Sequence, residues 1–256
     1  RRRILTMETT DDIERVPSTC QNCLKDFGAA VMRSPFNPGK VLFQARYCDP
    51  CIINRQSIER EKEWEQNQSE RQRARREAWD ALCPMEFRTT DEGGRTDVGR
   101  LLGEFPILQQ VIQHDVPSQG LIVRGKSGHG KTRAVWRLLR RSFVDGKRIR
   151  AMASGEFDRQ ARDAGGKFTL TEFVDRLIEA DVLFLDDLGK APWTPATVGI
   201  WFDVLDGRYR HGRPIVVTTN LDGAALVKQL RIGPDIGEPM LRRMRETTRQ
   251  IVVKTP

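Results

Sequence analysis

The sequence predicts an α/β protein whose main domain is a parallel sheet flanked by helices. Short apolar runs that resemble buried strands alternate along the chain with segments whose apolar residues keep helical spacing. Such alternation is typical of a parallel sheet with right-handed crossovers. A second observation is a pair of cysteine motifs near the start of the chain, which predicts a small separate module. The predicted strands are 121–124, 149–153, 182–187, 214–220 and 251–253.

The cysteine motifs predict a zinc site. Cys20 and Cys23 form one C-x₂-C pair, and Cys48 and Cys51 form another. Two such pairs place four soft ligands around a tetrahedral Zn²⁺ ion. The segment between the pairs is too short to build a core of its own, so metal binding, worth about 10–16 kcal/mol in small zinc modules, would supply its stability. Cys83 is left over, and we expect it to be a buried packing residue.

A charged segment follows the module. Residues 52–82 are rich in Arg, Glu, Gln and Lys, and opposite charges recur three or four positions apart, as in Arg73 and Glu77. This spacing predicts a solvated helix, which Pro84 ends. The predicted domains are therefore a zinc-ribbon-like module over 1–51, a charged helical linker over 52–83 and the α/β domain over 84–256. Arg1 to Leu5 precede Met7 and are expected to lie before the natural start.

Residues 125–132 have the complete pattern G-x-x-x-x-G-K-T. Between a strand and a helix, such a loop points backbone N–H groups at an anion, which favours a nucleotide triphosphate site over an ordinary glycine-rich turn. Lys131 is expected to reach the β- and γ-phosphates, and Thr132 to offer its hydroxyl to Mg²⁺. The predicted nucleotide-binding residues of the loop are Gly125, Lys126, Ser127, Gly128, His129, Gly130, Lys131 and Thr132.

Two acids follow the run at 182–185, which is apolar at every position, as in a central strand covered on both faces. The carboxyl end of a strand in a parallel sheet lines the ligand crevice. Asp186 is therefore predicted to bind Mg²⁺, and Asp187 to polarise the attacking water. The alternative, that Asp187 only begins a turn, is disfavoured by the phosphate loop upstream.

The strand at 214–220 ends in Asn220, a candidate for positioning that water. Asn after a strand most often caps a turn or the next helix, so the prediction depends on the order of the motifs along the chain. The run at 251–253 is expected to be the last core strand. Only three residues follow it.

In this order the motifs resemble the AAA+ ATPases of the DnaC, DnaI and IstB group, over about residues 84–254. The resemblance implies an AAA+ fold, ATP hydrolysis with Mg²⁺, and Asn220 as the sensor I residue. The C-terminal helical lid usual in AAA+ proteins has little room after 251–253, so no residue of such a lid is assigned to the site. It makes Arg243 the arginine-finger candidate, with Arg242 where the group usually has serine. A finger delivered to a neighbour implies self-association into an ATP-bridged oligomer. Alternatively, Arg242, Arg243 and Arg245 form one solvated basic helix face.

The same resemblance bears on the module. An ATPase of this group points to a reducing, cytoplasmic setting, and no apolar signal segment precedes the cysteines, so disulfides fit less well than zinc. The module's surface residues could meet either a protein or a nucleic acid. Loaders of the DnaI kind carry an N-terminal zinc-binding module that grips the helicase, which favours a protein. The surface residues considered are Lys25, Arg33, Lys40, Arg46 and Tyr47.

The charge balance favours a polyanionic partner. Lys and Arg number 43 against 35 Asp and Glu, a net charge of +8. Any binding through the basic clusters is expected to be mainly to phosphate and strongly salt-dependent. No apolar stretch approaches membrane-spanning length, so no membrane partner is expected. The clusters considered are Arg137, Arg140 and Arg141, then Lys147, Arg148 and Arg150, then Arg242, Arg243 and Arg245.

Three functions remain open from the sequence. The first is an ATP-dependent helicase loader in DNA replication, which binds a replicative helicase and single-stranded DNA and uses ATP, Mg²⁺ and Zn²⁺. The second is an IstB-like transposition helper that assembles on duplex DNA. The third is a nucleic-acid adaptor whose nucleotide site is a switch with negligible turnover, which the complete set of site residues disfavours. A zinc module at the front favours the loader over the transposition helper.

Overall fold

The computed structural model of the chain describes residues 13–88, 97–116, 118–164 and 169–255. The expectation about Arg1 to Leu5 falls outside these residues. The chain divides into two compact units between Arg75 and Arg76, within one long helix.

The first unit contains a three-stranded antiparallel sheet in the order β1-β2-β3. β1 spans Arg15–Thr19, β2 spans Asp26–Ser34 and β3 spans Asn37–Gln44. Side chains alternate across a strand, and accordingly Ala29 and Val31 of β2 are buried. The turn between β1 and β2 carries the first cysteine pair, and the second pair follows β3. Since β2 and β3 are antiparallel, this connection brings both pairs to one end of the sheet.

The charged segment is a helix, as predicted. α1 spans Asp49–Leu82, and Trp79 is the only one of its residues that is buried. The Trp79 ring packs against Trp136 and Phe143, with ring centroids 5.9 and 5.3 Å apart. The last turns of α1 therefore belong to the hydrophobic core of the second unit. Cys83, directly after α1, is buried in the same core, as expected.

The second unit contains a five-stranded parallel sheet in the order β5-β6-β7-β4-β8. This confirms the predicted fold class. β8 begins three residues earlier than predicted, because two of its first positions are exposed and carry Arg249 and Gln250, so the apolar pattern misses them. The strands are β4 Gly120–Gly125, β5 Ile149–Ala153, β6 Val182–Leu188, β7 Ile215–Thr219 and β8 Thr248–Val253.

Helices cover both faces of this sheet. None of the helices in the described residues is both long enough and apolar enough to cross a membrane. The helices of this unit are α2 Met85–Arg88, α3 Asp97–Glu104, α4 Leu108–Ile112, α5 Lys131–Val144, α6 Ser154–Ala164, α7 Thr169–Glu179, α8 Pro195–Arg210, α9 Gly223–Gln229 and α10 Pro234–Thr247.

Two hydrophobic clusters hold the layers together. Val182 and Phe184 of β6 belong to one cluster, while Leu183 and Leu185 belong to the other. Because successive strand residues face opposite sides, the two clusters lie on opposite faces of the sheet. A strand buried on both faces is apolar at every position, which is why β6 could be predicted from its sequence.

The strand order positions the functional residues. β7 lies between β6 and β4, and all three run parallel. Their carboxyl ends therefore meet at one edge of the sheet, where ligands bind in open parallel sheets. The phosphate loop leaves β4 at this edge, the acid pair lies at the end of β6, and Asn220 follows β7.

Candidate functional site

The phosphate loop joins β4 to α5, as predicted. Gly130 caps the N-terminus of α5 with φ at 71°, in the left-handed region that favours glycine. A Cβ at this position would also lie 2.9 Å from a methyl of Leu101. At the start of the loop, Gly125 passes so close to the backbone carbonyl of Val253 that a Cβ would collide with it. The loop conformation therefore depends on glycine at both ends of the pattern.

Lys131 lies at the centre of the site and is 5% exposed. Its Nζ donates to the carbonyl of Lys126 at 2.9 Å and to Oδ1 of Asn220 at 2.8 Å. The predicted phosphate-binding lysine and the predicted sensor are therefore in direct contact, across 89 residues of sequence. An ammonium group has three donors, so these two bonds leave one donor for a ligand.

Asp186 joins the loop to the sheet. Its Oδ1 accepts a hydrogen bond of 2.8 Å from the Thr132 hydroxyl, the pair predicted to bind Mg²⁺. The same oxygen accepts a short hydrogen bond from the hydroxyl of Thr218 in β7. Thr218 in turn accepts a 2.9 Å hydrogen bond from the backbone N–H of Asp187. One buried hydroxyl therefore fixes both the Asp186 carboxylate and the backbone that follows it.

Sequence reasoning missed Thr218. The available signal was the run Thr-Thr-Asn at 218–220, in which only Asn220 was singled out. Thr219 is also engaged, since its hydroxyl donates to the carbonyl of Leu188 at 2.6 Å and accepts from the N–H of Leu221 at 3.1 Å. Thr218 thus orients a site residue, while Thr219 shapes the ends of the two strands.

Asp187 has an unusual backbone. Its φ is 54°, in the left-handed region that few residues except glycine, asparagine and aspartate adopt. Its carboxylate is about one third exposed and forms an ion pair of 3.1 Å with Lys190. The side chain therefore reaches the accessible side of the edge, while the carboxylate of Asp186 is bound to hydroxyls within it.

Burial shifts the pKa values of Lys131 and Asp186 in opposite directions. Burial lowers the pKa of Lys131 below its ordinary value, and the carboxylates of Asp187 and Asp186 oppose that shift. Burial raises the pKa of Asp186, while hydrogen bonds from Thr218 and Thr132 act the other way. The protein thus solvates these charges less well than water does. A phosphate chain with a divalent cation would give both charges the partners they lack.

His129 ties the loop to the preceding segment. Its ring stacks on Phe105, with ring centroids 4.6 Å apart and an interplanar angle of 25°. Its Nδ1 is buried and has no hydrogen-bond partner among the residues the structure describes. Phe105 follows α3 directly and is buried. The stack therefore links the phosphate loop to the α3 segment, a contact that the sequence pattern alone does not reveal.

Arg243 of α10 makes its contacts within the same chain. Its Nη2 lies 2.7 Å from Oδ1 of Asp206 in α8, and the side chain is 19% exposed. The guanidinium also lies over the Phe202 ring, 4.7 Å from its centroid. The neighbouring Arg242 is 68% exposed and forms only a loose ion pair of 3.8 Å with Glu246. The three arginines at 242, 243 and 245 are therefore not one uniformly solvated face.

The four predicted zinc ligands come together in the first unit. The sulfur atoms of Cys20, Cys23, Cys48 and Cys51 all lie within 4.8 Å of one another. Cys23 and Cys48 sulfurs are 3.6 Å apart. Backbone N–H groups, that of Cys23 first, hold the pKa of Cys20 below its ordinary value, which favours the thiolate at this position. The backbone N–H of Cys51 acts in the same way on Cys48, but burial and contacts with the other three sulfurs raise the pKa of Cys48 overall. Thiolates at this separation repel one another unless a cation lies between them.

Several cations proposed for nucleic acid are engaged within the second unit. Arg140 lies over the Trp79 ring at 5.0 Å, and Arg141 donates to the carbonyl of Ile112 at 2.6 Å. Arg148 forms an ion pair of 3.2 Å with Asp181. These contacts fasten helix and strand ends, so the side chains have a structural role that their clustering in the sequence does not indicate.

Comparison with known proteins extends this description. Residues 108–255 match the family of IstB-like ATP binding proteins. The structure is similar to that of the DnaC helicase loader, with TM-score 0.52 and 21% identity, over 67% of this chain and 100% of that one. It is similar to DnaI, with TM-score 0.52 and 21% identity, over 70% and 97% of the two chains. AMPPCP-bound DnaA from Aquifex aeolicus matches with TM-score 0.50 and 17% identity, over 67% of this chain and 51% of that one. No curated protein matches the chain.

A parallel sheet with this strand order, carrying a phosphate loop and an acid pair at one edge, is the framework of an AAA+ P-loop ATPase. Structural likeness at these identities establishes only the fold. The family match covers more than half of the residues, and the chain belongs to the family of IstB-like ATP binding proteins. It is an ATP-binding protein and an ATPase, as the sequence predicted.

Proposed function

We propose that this ATPase loads a replicative helicase onto single-stranded DNA during DNA replication. The observation that carries the proposal is the combination of two units in one chain. An AAA+ ATPase unit is joined through the exposed helix α1 to a cysteine-bearing unit with its own sheet. A partner-binding surface on a separate unit suits a protein that must hold a second protein while its own ATPase cycle proceeds. The likeness to a protein described as a helicase loader is consistent with it.

We assign the ATPase roles as follows. Lys131 binds the β- and γ-phosphates, with the loop residues 125–130 around it, and Thr132 and Asp186 hold Mg²⁺. The fit rests on their 2.8 Å contact and on the burial that leaves Asp186 without a full counter-charge. When bound, Mg²⁺ would neutralise charge on the phosphates. Asp187 orients and polarises the attacking water, and Asn220, already within 2.8 Å of Lys131, positions it.

The cysteine cluster is proposed to hold Zn²⁺. The four cysteine sulfurs are soft donors, and Zn²⁺ binds four such ligands in a tetrahedral arrangement. Cations that prefer oxygen ligands fit this donor set less well. Outer hydrogen bonds support the cluster, since Asn22 donates to the sulfur of Cys51 at 3.4 Å and the N–H of Cys48 donates to the sulfur of Cys20 at 3.3 Å. The ion would be structural, because all four donors come from the protein. Residues 1–51 would then form the grip, 52–83 the linker and 84–256 the ATPase.

Arg243 is proposed to act on the nucleotide of a neighbouring subunit. Its guanidinium would have to leave Asp206 for that purpose, so assembly of the oligomer would be coupled to breaking of this ion pair. A planar guanidinium brought to the transferring phosphoryl group neutralises developing charge. The protein would therefore hydrolyse ATP well only in an ATP-bridged oligomer.

A second candidate is favoured by the family match over residues 108–255. An IstB-like transposition helper would use the same ATPase roles, would assemble on duplex DNA and would stimulate a transposase. The two candidates differ in what the first unit binds and in which form of DNA promotes assembly.

The test is to mix the protein and ATP with the replicative helicase of its host and to measure the masses formed by light scattering. A defined complex that is lost when Cys20 and Cys23 are replaced by serine, while ATP binding remains, would support the loader. Lys131→Ala should abolish nucleotide binding and serves as the ATP-free control. If no complex forms and the protein instead assembles with ATP on duplex DNA alone, the transposition helper is the better description.

A further inference from the structure

Strand β3 is an open edge of the small sheet. In the part of the chain that the structure describes, β3 pairs only with β2, and all eight of its residues are exposed. The outer backbone N–H and C=O groups of an edge strand can pair with a further strand. Proteins usually protect such edges with charges, prolines or bulges. Pro38 and Lys40 protect the first half of β3. The segment 41–44 carries neither proline nor charge, and its one irregularity is at Leu42, which the register with β2 skips between Phe43 and Val41.

The second half of β3 is apolar. Val41, Leu42 and Phe43 are 45%, 53% and 57% exposed, and Met32, the cross-strand partner of Phe43, is 60% exposed. Phe36, in the turn before β3, is 97% exposed. Met32 and Phe43 share one face of the sheet, while Val41, opposite Arg33, lies on the other, because successive strand residues face opposite sides. We call the five exposed apolar residues along this edge, Met32, Phe36, Val41, Leu42 and Phe43, the β3 patch. Exposed apolar residues that cluster in this way, rather than occurring singly, mark interaction surfaces.

The segments that flank the patch in sequence carry more cations than acids. Residues 24–48 contain four cations, Lys25, Arg33, Lys40 and Arg46, but one acid, Asp26. Arg33 is neutralised by Glu14, whose carboxylate lies 2.7 Å away. Within the described residues no ion pair involves Lys25, Lys40 or Arg46. The surface around β3 is therefore complementary to an acidic partner.

We propose that β3 binds an extended, acidic and apolar segment of a partner protein, which adds to the sheet as a fourth strand. Main-chain pairing along 41–44 would supply affinity, and contacts with the β3 patch and the cations would supply specificity. This inference rests on the proposed function, because it identifies how the first unit grips its partner. It also goes further, since it specifies the chemistry of the segment recognised.

Two other occupants fit less well. A second copy of this chain would bring Lys40 and Arg46 of both copies together, and like charges across paired strands are destabilising. Single-stranded DNA matches the charge and stacks on aromatic rings, but only Phe36 and Phe43 of the β3 patch are aromatic, and Met32, Val41 and Leu42 are aliphatic. An open strand edge also offers main-chain pairing that a nucleic acid cannot use.

The first experiment uses a fluorescent peptide that alternates glutamate with valine, a counterpart that alternates lysine with valine, and oligothymidine. Each is titrated by anisotropy into the full-length chain, into the variant Leu42→Ser with Phe43→Ser, and into a matched control with Ile58→Ser and Trp64→Ser. The control residues are 44% and 63% exposed on α1. We expect the parent and the control to bind the acidic peptide alike, the β3 variant to bind about tenfold or more weakly, and the basic peptide not to bind.

Hydrogen exchange then locates the contact. Strand addition should slow exchange of the amides in 41–44 when the acidic peptide is present. Equal peptide binding by parent and β3 variant, or unchanged exchange at these amides, would overturn the proposal. Displacement of the peptide by oligothymidine would identify the surface as a nucleic-acid site instead. Concentration-dependent dimerisation abolished by the β3 variant would identify the occupant as a second copy.

The helicase mixture separates this inference from the proposed function. Loss of the helicase complex in the β3 variant, with zinc content and ATP binding unchanged, supports both. A complex that survives in the β3 variant overturns the strand-addition inference and leaves the loader intact. If the parent itself forms no complex, the loader proposal fails and the peptide titration alone decides the inference.

Discussion

The Thr218 hydroxyl orients the acid that we assign to Mg²⁺. It donates to Asp186, accepts from the N–H of Asp187 and is completely buried. Thr218→Val preserves the shape and removes both bonds. We expect the Mg²⁺ concentration for half-maximal ATP hydrolysis to rise about tenfold or more, since losing an outer partner of a metal ligand costs about 10–100-fold in affinity. The measurement is ATPase rate against Mg²⁺ concentration at saturating ATP.

Thr218→Ser is the matched control, because serine keeps the hydroxyl and loses a methyl group. It should restore the Mg²⁺ dependence even if it unfolds at a lower temperature. If Thr218→Val lowers the rate without changing the Mg²⁺ dependence, Thr218 supports the fold and does not position Asp186.

The Asp186 carboxylate should make stability depend on pH. Burial raises its pKa in the folded chain, so the folded state holds the proton more tightly than the unfolded state. The pKa of this group in the unfolded chain is about 3.9. As pH rises from there through the folded pKa, the carboxyl group destabilises the fold increasingly, and above the folded pKa the effect is complete. Asp186→Asn removes this charge. Without nucleotide or Mg²⁺, we expect its Tm advantage over the parent to grow as pH rises above about 3.9 and to level off once pH has passed the folded pKa.

Asp181→Asn is a control of opposite sign. Hydrogen bonds from Arg148 hold the pKa of Asp181 below its ordinary value, so its ionised form stabilises the fold. This variant should lose Tm relative to the parent at neutral pH, with a smaller loss as pH falls through the folded pKa. A Tm difference for Asp186→Asn that does not change with pH would mean that amide packing, rather than charge, is responsible.

Helices α8 and α10 meet through the ion pair of Arg243 with Asp206 and the contact of Arg243 with Phe202. If Arg243 also serves a neighbour, Arg243→Met should reduce ATP hydrolysis about 10³-fold, the lower end expected for an arginine finger. Mixing Arg243→Met with Asp187→Asn should restore activity, because the Asp187→Asn protein supplies Arg243 to the intact nucleotide site of the Arg243→Met protein. The measurement is ATPase rate against the mixing ratio of the two proteins.

Asp206→Asn distinguishes the two roles of Arg243. It weakens the internal ion pair and leaves the guanidinium available to a neighbour. Activity should therefore survive in Asp206→Asn with a lower Tm. If mixing restores nothing, and both variants lose activity in proportion to their loss of stability, Arg243 only fastens α10 to α8.

The elements differ in how far their sequence could predict them. β6 and the loop before α5 could be predicted because burial on both faces and phosphate binding each demand a local pattern. The contact of Thr218 with Asp186 could not, since it depends on the pairing of β6 with β7, which is irregular between Leu185 and Leu188. The three strands of the first unit, β1, β2 and β3, also escaped prediction. The side chains of β3 are all exposed, and β1 and β2 bury few apolar residues, so these strands carry no strong alternating apolar signal.

At the scale of the whole molecule, the two units should lose their structure independently. In the described part of the first unit, the buried apolar residues are Cys20, Ala29 and Val31. So small a core cannot offset the conformational entropy of the strands, and bound Zn²⁺ would supply the difference. The second unit contains two large clusters and the whole ATP site. Its stability should therefore not depend on the metal.

We expect a strong zinc chelator to unfold the first unit while ATP affinity stays within about twofold, because the nucleotide site shares no residue with the metal site. Limited proteolysis should then cleave the strands of the first unit and leave a fragment that begins near Arg76. Cys20→Ser with Cys23→Ser should reproduce this pattern without chelator, whereas Cys83→Ser, buried in the second unit, should keep its zinc. A first unit that resists protease after complete metal removal would contradict a stabilising role for zinc. Loss of ATP binding together with the metal would contradict the independence of the two units.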